Sequence, residues 1–177
     1  MQPSFDHRIR TMNKALTEVI LPAIDPDNKG AVEQLQLVVG SLNLMNEQID
    51  YAHWFEVTDG RSMIAMAEKL AGISGQSIDP ATEKAIASVR DAASRHNVTL
   101  TAVRQANYDL REALSAMITR ILENSDATTH RAVSLAVIDM SEDQTSRERA
   151  FVAKTGFDVF PDSLKSIADA LAAAPAG

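Results

Sequence analysis

The chain has 177 residues, 45% of them hydrophobic and 5% aromatic, enough to bury a substantial core of Leu, Ile, Val, Met and Ala. It contains no cysteine, which excludes disulfides, thiolate nucleophiles and cysteine-based metal sites. A net charge of −7 without any run of Lys or Arg argues against nucleic acid as a partner, because clustered cations are needed to displace counterions from phosphate. Residues Met1–Arg10 lack the basic-then-apolar layout of a signal peptide. The longest strongly apolar stretch, Val133–Ile138, is far short of a bilayer span, so a cytoplasmic protein with no membrane partner is expected.

A first helix is predicted over residues 3–21, with Phe5, Ile9, Met12, Leu16 and Val19 along one face and Pro22 ending or kinking it. Asp25-Pro26 combines a capping side chain with a proline suited to a first helical position. A second helix is then expected over 28–71, on a seam of Leu35, Val38, Leu42, Met45, Ile49, Ala52, Met63, Met66 and Leu70. Glu56 and Asp59 fall on that seam and Gly60 follows. A continuous helix with a polar layer therefore competes with a break at Thr58–Arg61. Unbroken phase favours continuity, since an interior glycine costs only about 1 kcal/mol.

Gly72 and Gly75 mark a turn, and Asp79-Pro80 repeats the cap signal. A third helix is expected over 80–124, with Ile86, Val89, Ala93, Leu100, Val103, Leu110, Leu114, Met117 and Ile121 on its seam. His96 and Asn107 occupy seam positions where apolar residues are expected. Ser125 or Asp126 can cap a fourth helix over 127–155, closed by Gly156 as a left-handed C-cap. A short last helix spans 163–174. The pattern is all-α: one domain over 1–177, an up-down four-helix bundle built on a long antiparallel helical hairpin with a short C-terminal helix.

With the second and third helices paired about the Gly72–Asp79 turn, Leu42 lies level with Leu110, Ile49 with Val103 and Met63 with Val89. In that register Glu56 meets His96, and His53 stands one turn away. Glu56, His96 and His53, with Trp54 beside them, are the candidate ligand-binding residues. His53, Glu56 and His96 are the set that would hold a metal, imidazole and carboxylate being common ligands for zinc or non-haem iron. His96 oriented by Glu56 would also serve as an acid–base pair. The plainer reading, a buried polar pair that fixes helix register, is favoured. Trp54, near Tyr51 and Phe55, reads more simply as a core wedge or interface anchor.

Asp50-x-x-His53 resembles half of the di-iron signature of ferritin-like bundles. That signature needs a second acid-x-x-His, which this chain lacks, so no cofactor is assigned. There is no Gly-x-Ser-x-Gly elbow and no glycine-rich phosphate loop.

Helices of roughly 40 residues are about 60 Å long, and neither the first helix nor the fourth reaches the hairpin tip. Met63, Ile64, Met66, Leu70, Ile86 and Val89 would then present apolar surface, an expected interface for a second copy or a partner helix. The leading reading is a non-enzymatic protein acting through self-association or partner-helix binding. The alternative is a small-molecule or metal-binding bundle with a Glu/His centre.

Overall fold

Local chemistry decides where each helix starts. The computed structural model describes residues 3–153 and 158–173, and among these the regular structure is entirely helical. Ser4 accepts from the His7 amide (3.2 Å) and opens α1, Phe5–Ala15. The chain loosens into a π-helical turn, Leu16–Ile20, and a 3-10 turn, Leu21–Ala23, around Pro22, which has no amide to donate. α2 spans Lys29–Gln48 and is capped by Asn28, which accepts from the Ala31 amide (3.2 Å). Asp25, the expected cap, instead accepts from the Asp27 amide (3.0 Å) inside the preceding turn.

The single helix expected over 28–71 is two helices. The Tyr51 amide bonds the Gln48 carbonyl, three residues back (3.0 Å), in the turn that ends α2. α3 then runs Ala52–Ser74, and Thr58–Arg61 is regular helix within it. Gly75, at φ +65°, lies just past its end, where the absence of a Cβ makes that conformation inexpensive. Asp79 accepts from the Ala81 and Thr82 amides (3.1 and 3.2 Å) and opens α4, Pro80–Ser94, as its sequence predicts.

The helix expected over 80–124 is also interrupted. Arg95 is extended, and Thr99 caps α5, Leu100–Glu123, by accepting from the Ala102 amide (3.2 Å). Ala93 and Leu100 are seven residues apart, so the heptad phase passes through this reversal without a slip. Asp126 accepts from the Thr129 amide (2.8 Å) at the start of α6, Ala127–Phe151. The expected cap at Gly156 lies outside the described residues. A 3-10 turn, Pro161–Ser163, precedes α7, Ile167–Ala172, which is capped by Ser166.

Where the sequence reads as one domain, the chain divides into two compact units: Met1–Tyr51 with Phe151–Leu164, and Ala52–Ala150 with Lys165–Gly177. In the first, α1 and α2 run antiparallel. Asn13 donates to Asn43 (2.6 Å), while Asp6, earlier on α1, accepts from Asn46, later on α2 (3.2 Å). Among the described residues of this unit, Ile9 and Leu35 are the only buried hydrophobics.

In the second unit, ion pairs report the helix directions. Glu56–Arg104 and Asp59–Arg111 advance together, so α3 and α5 are parallel. Asp79–Arg120 joins the start of α4 to the end of α5, and Asp59–Arg147 with Lys69–Asp139 runs α6 against α3. The core between them is made by Met66, Leu70, Val89, Leu110, Ile121 and Val133, among others.

The expected long hairpin is thereby corrected. Breaking each long rod in two lets additional helices cover what the rods alone would leave bare. Met63, Ile64, Met66, Leu70, Ile86 and Val89, the expected open interface, are all buried in this core.

Candidate functional site

Two faces with matching spacing meet where α3 and α5 run side by side. α3 presents Glu56 and Asp59, three residues apart. α5 presents Arg104, Asn107 and Arg111 at steps of three and four, so each set lies on one helix face. Glu56 Oε1 accepts from Arg104 Nε (2.7 Å). Asn107 Nδ2 donates to the Glu56 backbone carbonyl (2.8 Å) and to Oε2 (3.1 Å). The hydrogen bond that Arg104 donates to Glu56 holds the guanidinium above its ordinary pKa. Asp59 Oδ2 accepts from Arg111 (2.8 Å), and its Oδ1 lies 3.7 Å from the guanidinium of Arg147 on α6. Burial pushes the Asp59 carboxyl up, against the opposing pull of Arg111 and Arg147.

Gly60 lets the helices approach this closely. A Cβ there would sit 2.6 Å from Asn107 Oδ1 and 2.7 Å from Val89 Cγ1, inside van der Waals contact with both α5 and α4. Asn107 itself is 1% exposed, and its Oδ1 has no hydrogen-bond partner among the described residues. Glu56 and Asp59 are committed to arginines and tie three helices together; neither is a free general base.

The open space lies next to this layer, between α3 and α6. A cavity of about 240 Å³ is lined by Ser62, Met66 and Lys69 of α3 and by Met140, Asp143 and Arg147 of α6. Arg147 is 5% exposed, and its ion pair among the described residues is the long one to Asp59. Ser62 is buried, and its hydroxyl has no hydrogen-bond partner among the described residues.

The residues singled out in the sequence fare differently. Glu56 is at the centre of the polar layer, but its partners are Arg104 and Asn107. His96 is exposed in the turn between α4 and α5, and His53 and Trp54 are exposed on α3. Among the described residues, no group of three or more His, Asp or Glu side chains is placed to hold a metal ion, which corrects the His53–Glu56–His96 set. The reason is the reversal at residues 95–99. It sets α5 parallel to α3, so arginines reach Glu56 where a continuous helix would bring an imidazole. Two signals in the sequence point to this arrangement: Thr99 as a helix cap, and the basic stripe Arg104, Asn107, Arg111 complementary to Glu56 and Asp59.

Compared with known proteins, the chain matches no family model, and neither a curated protein nor a solved structure matches it. Among the described residues, no helix is long and apolar enough to cross a membrane.

Proposed function

We propose that this chain acts by association rather than catalysis, a second copy covering one apolar face of the α1–α2 hairpin, and that α3–α6 constitute an up-down four-helix bundle. The observation that carries the association is the composition of α2. From Gln34 to Asn46 it has no charged residue, and Leu37, Val38 and Met45 within that run are exposed. A helix apolar on more than one side belongs in an interior, and the centres of protein interfaces are likewise depleted of charge.

The exposed residues share a side of the hairpin. Met12 follows the buried Ile9 by three positions, and Val38 follows the buried Leu35 by three. Each is rotated about 60° back from its helix's inward face. A twofold axis perpendicular to the plane of an antiparallel pair exchanges the two helices, so equal rotations point to the same side. Phe5, Met12, Val38, Met45 and Ile49 thus form one face, with Phe5 66% and Met45 53% exposed. Gln34, Ser41 and Gln48 border the α2 part of it. The five residues are uncharged and Arg8 alone borders the α1 part, so the face meets its own copy across a twofold with little like-charge repulsion, although the whole chain carries −7.

Sedimentation equilibrium tests this reading. The wild-type chain is expected to dimerise at micromolar concentration. Val38→Glu with Met45→Glu is expected to be a folded monomer whose Tm no longer depends on protein concentration, since both positions are exposed. A wild-type monomer at about 100 µM overturns self-association and leaves a heterologous helix as the occupant.

A further inference from the structure

We infer that the cavity between α3 and α6 binds a small α-amino acid with an aliphatic side chain. This rests on the second unit alone and is independent of hairpin pairing. At one end, the Arg147 guanidinium carries five N–H donors. Its single ion pair among the described residues, to Asp59 at 3.7 Å, is beyond hydrogen-bond length. Lining the same cavity, the Ser62 hydroxyl is shut from solvent and has no partner among the described residues. A buried donor without an acceptor is destabilising, and a carboxylate satisfies both groups at once, the guanidinium in the planar geometry it favours.

The same cavity holds a counterpart for an amine. Asp143 lies one helical turn before Arg147 on α6 and has no ion pair among the described residues. An anionic and a cationic group borne on one carbon suit this juxtaposition of arginine and aspartate. Met66, Ala136 and Met140 supply an apolar floor, and the unbranched methionines adapt to differing shapes. At the far end Lys69 and Asp139 pair with each other (3.4 Å), so that end presents no uncompensated charge to the ligand. A cavity of about 240 Å³ accommodates a ligand the size of leucine or methionine.

Calorimetric titration of the full chain tests the inference with three probes: L-leucine, 4-methylpentanoate, which lacks the amine, and 3-methylbutylamine, which lacks the carboxylate. L-leucine is expected to bind saturably and each truncated analogue about tenfold or more weakly. Ser62→Ala is expected to weaken L-leucine several-fold without lowering Tm, because the hydroxyl makes no internal hydrogen bond. Asp143→Asn is expected to remove the preference over 4-methylpentanoate. No saturable binding of L-leucine or L-methionine at about 10 mM overturns the assignment. So does equal binding of 4-methylpentanoate by the wild type, or an unchanged affinity in Ser62→Ala.

Discussion

α2 has no charge from Gln34 to Asn46, yet Leu35 is its one buried residue; α3 carries Glu56, Asp59 and Arg61, yet eleven of its residues are buried, Glu56 and Asp59 among them. The two helices share a single heptad phase and differ in how many neighbours surround them. α2 packs along α1, whereas α3 is flanked by α4, α5, α6 and α7. Composition states what a helix face needs, and the number of neighbouring elements decides whether the need is met. In α3 the result is a polar layer sealed by arginines. In α2 it is a set of exposed apolar side chains, Leu37, Val38 and Met45 among them.

Cutting α3's polar layer is the strongest way to break this contrast. Asp59→Leu leaves Arg147 buried without its counter-charge, and a loss of about 3–5 kcal/mol in urea unfolding is expected. Adding Arg147→Met is expected to restore most of it; a single-variant loss below about 1 kcal/mol would mean that the layer does not tie α6 to α3.

The two mid-helix glycines sharpen the comparison. Gly60→Ala is expected to cost about 1–3 kcal/mol by overpacking against Asn107 and Val89. A methyl group at Gly40 on α2 would meet nothing within 4 Å, so Gly40→Ala is expected to gain about 0.5–1 kcal/mol. Shifts of the same sign in thermal unfolding would erase the difference between the helices.

Two aspartates differ in the pH dependence of what they contribute. The Thr82 hydrogen bond foremost, with Arg120, holds Asp79 below its ordinary pKa. Its contribution is present above the ordinary aspartate value of about 3.9 and is lost as pH falls below it. Asp79→Ala is therefore expected to cost about 1–2 kcal/mol at neutral pH, and the gap from wild type to shrink on acidification. Asp59 is raised by desolvation, so its contribution is fully present below the ordinary value and is lost as pH rises through the raised one. Asp59→Asn is expected to remove that loss, which denaturant melts across the acid range would read.

Much of the local structure is legible in the chain because it depends on neighbours a few residues away. Asp79 and Asp126 cap helices where their side chains reach free amides (Asp79 to Ala81, 3.1 Å; Asp126 to Thr129, 2.8 Å), and Gly75 takes the left-handed conformation after α3. The breaks at residues 49–51 and 95–99 are masked by the apolar repeat, which continues through both; Thr99 as a cap is the one local signal at the second, and the Tyr51–Gln48 hydrogen bond at the first shows only in the structure. Glu56 is recognisable from sequence as an off-pattern seam residue, whereas the matching stripe of Arg104, Asn107 and Arg111 identifies its partner only once α5 is known to run parallel to α3.

By itself, the sequence determined an all-helical chain, the sites of several helix ends and the apolar stripe of each segment, because propensity, capping and periodicity act over single turns. Only the tertiary structure decided that α3 and α5 run parallel, that Arg104 and Arg111 rather than His96 answer the acidic pair, and that Ser62 and Arg147 share a cavity. Those outcomes depend on which distant faces meet, and a heptad repeat is the same whether its helix runs up or down.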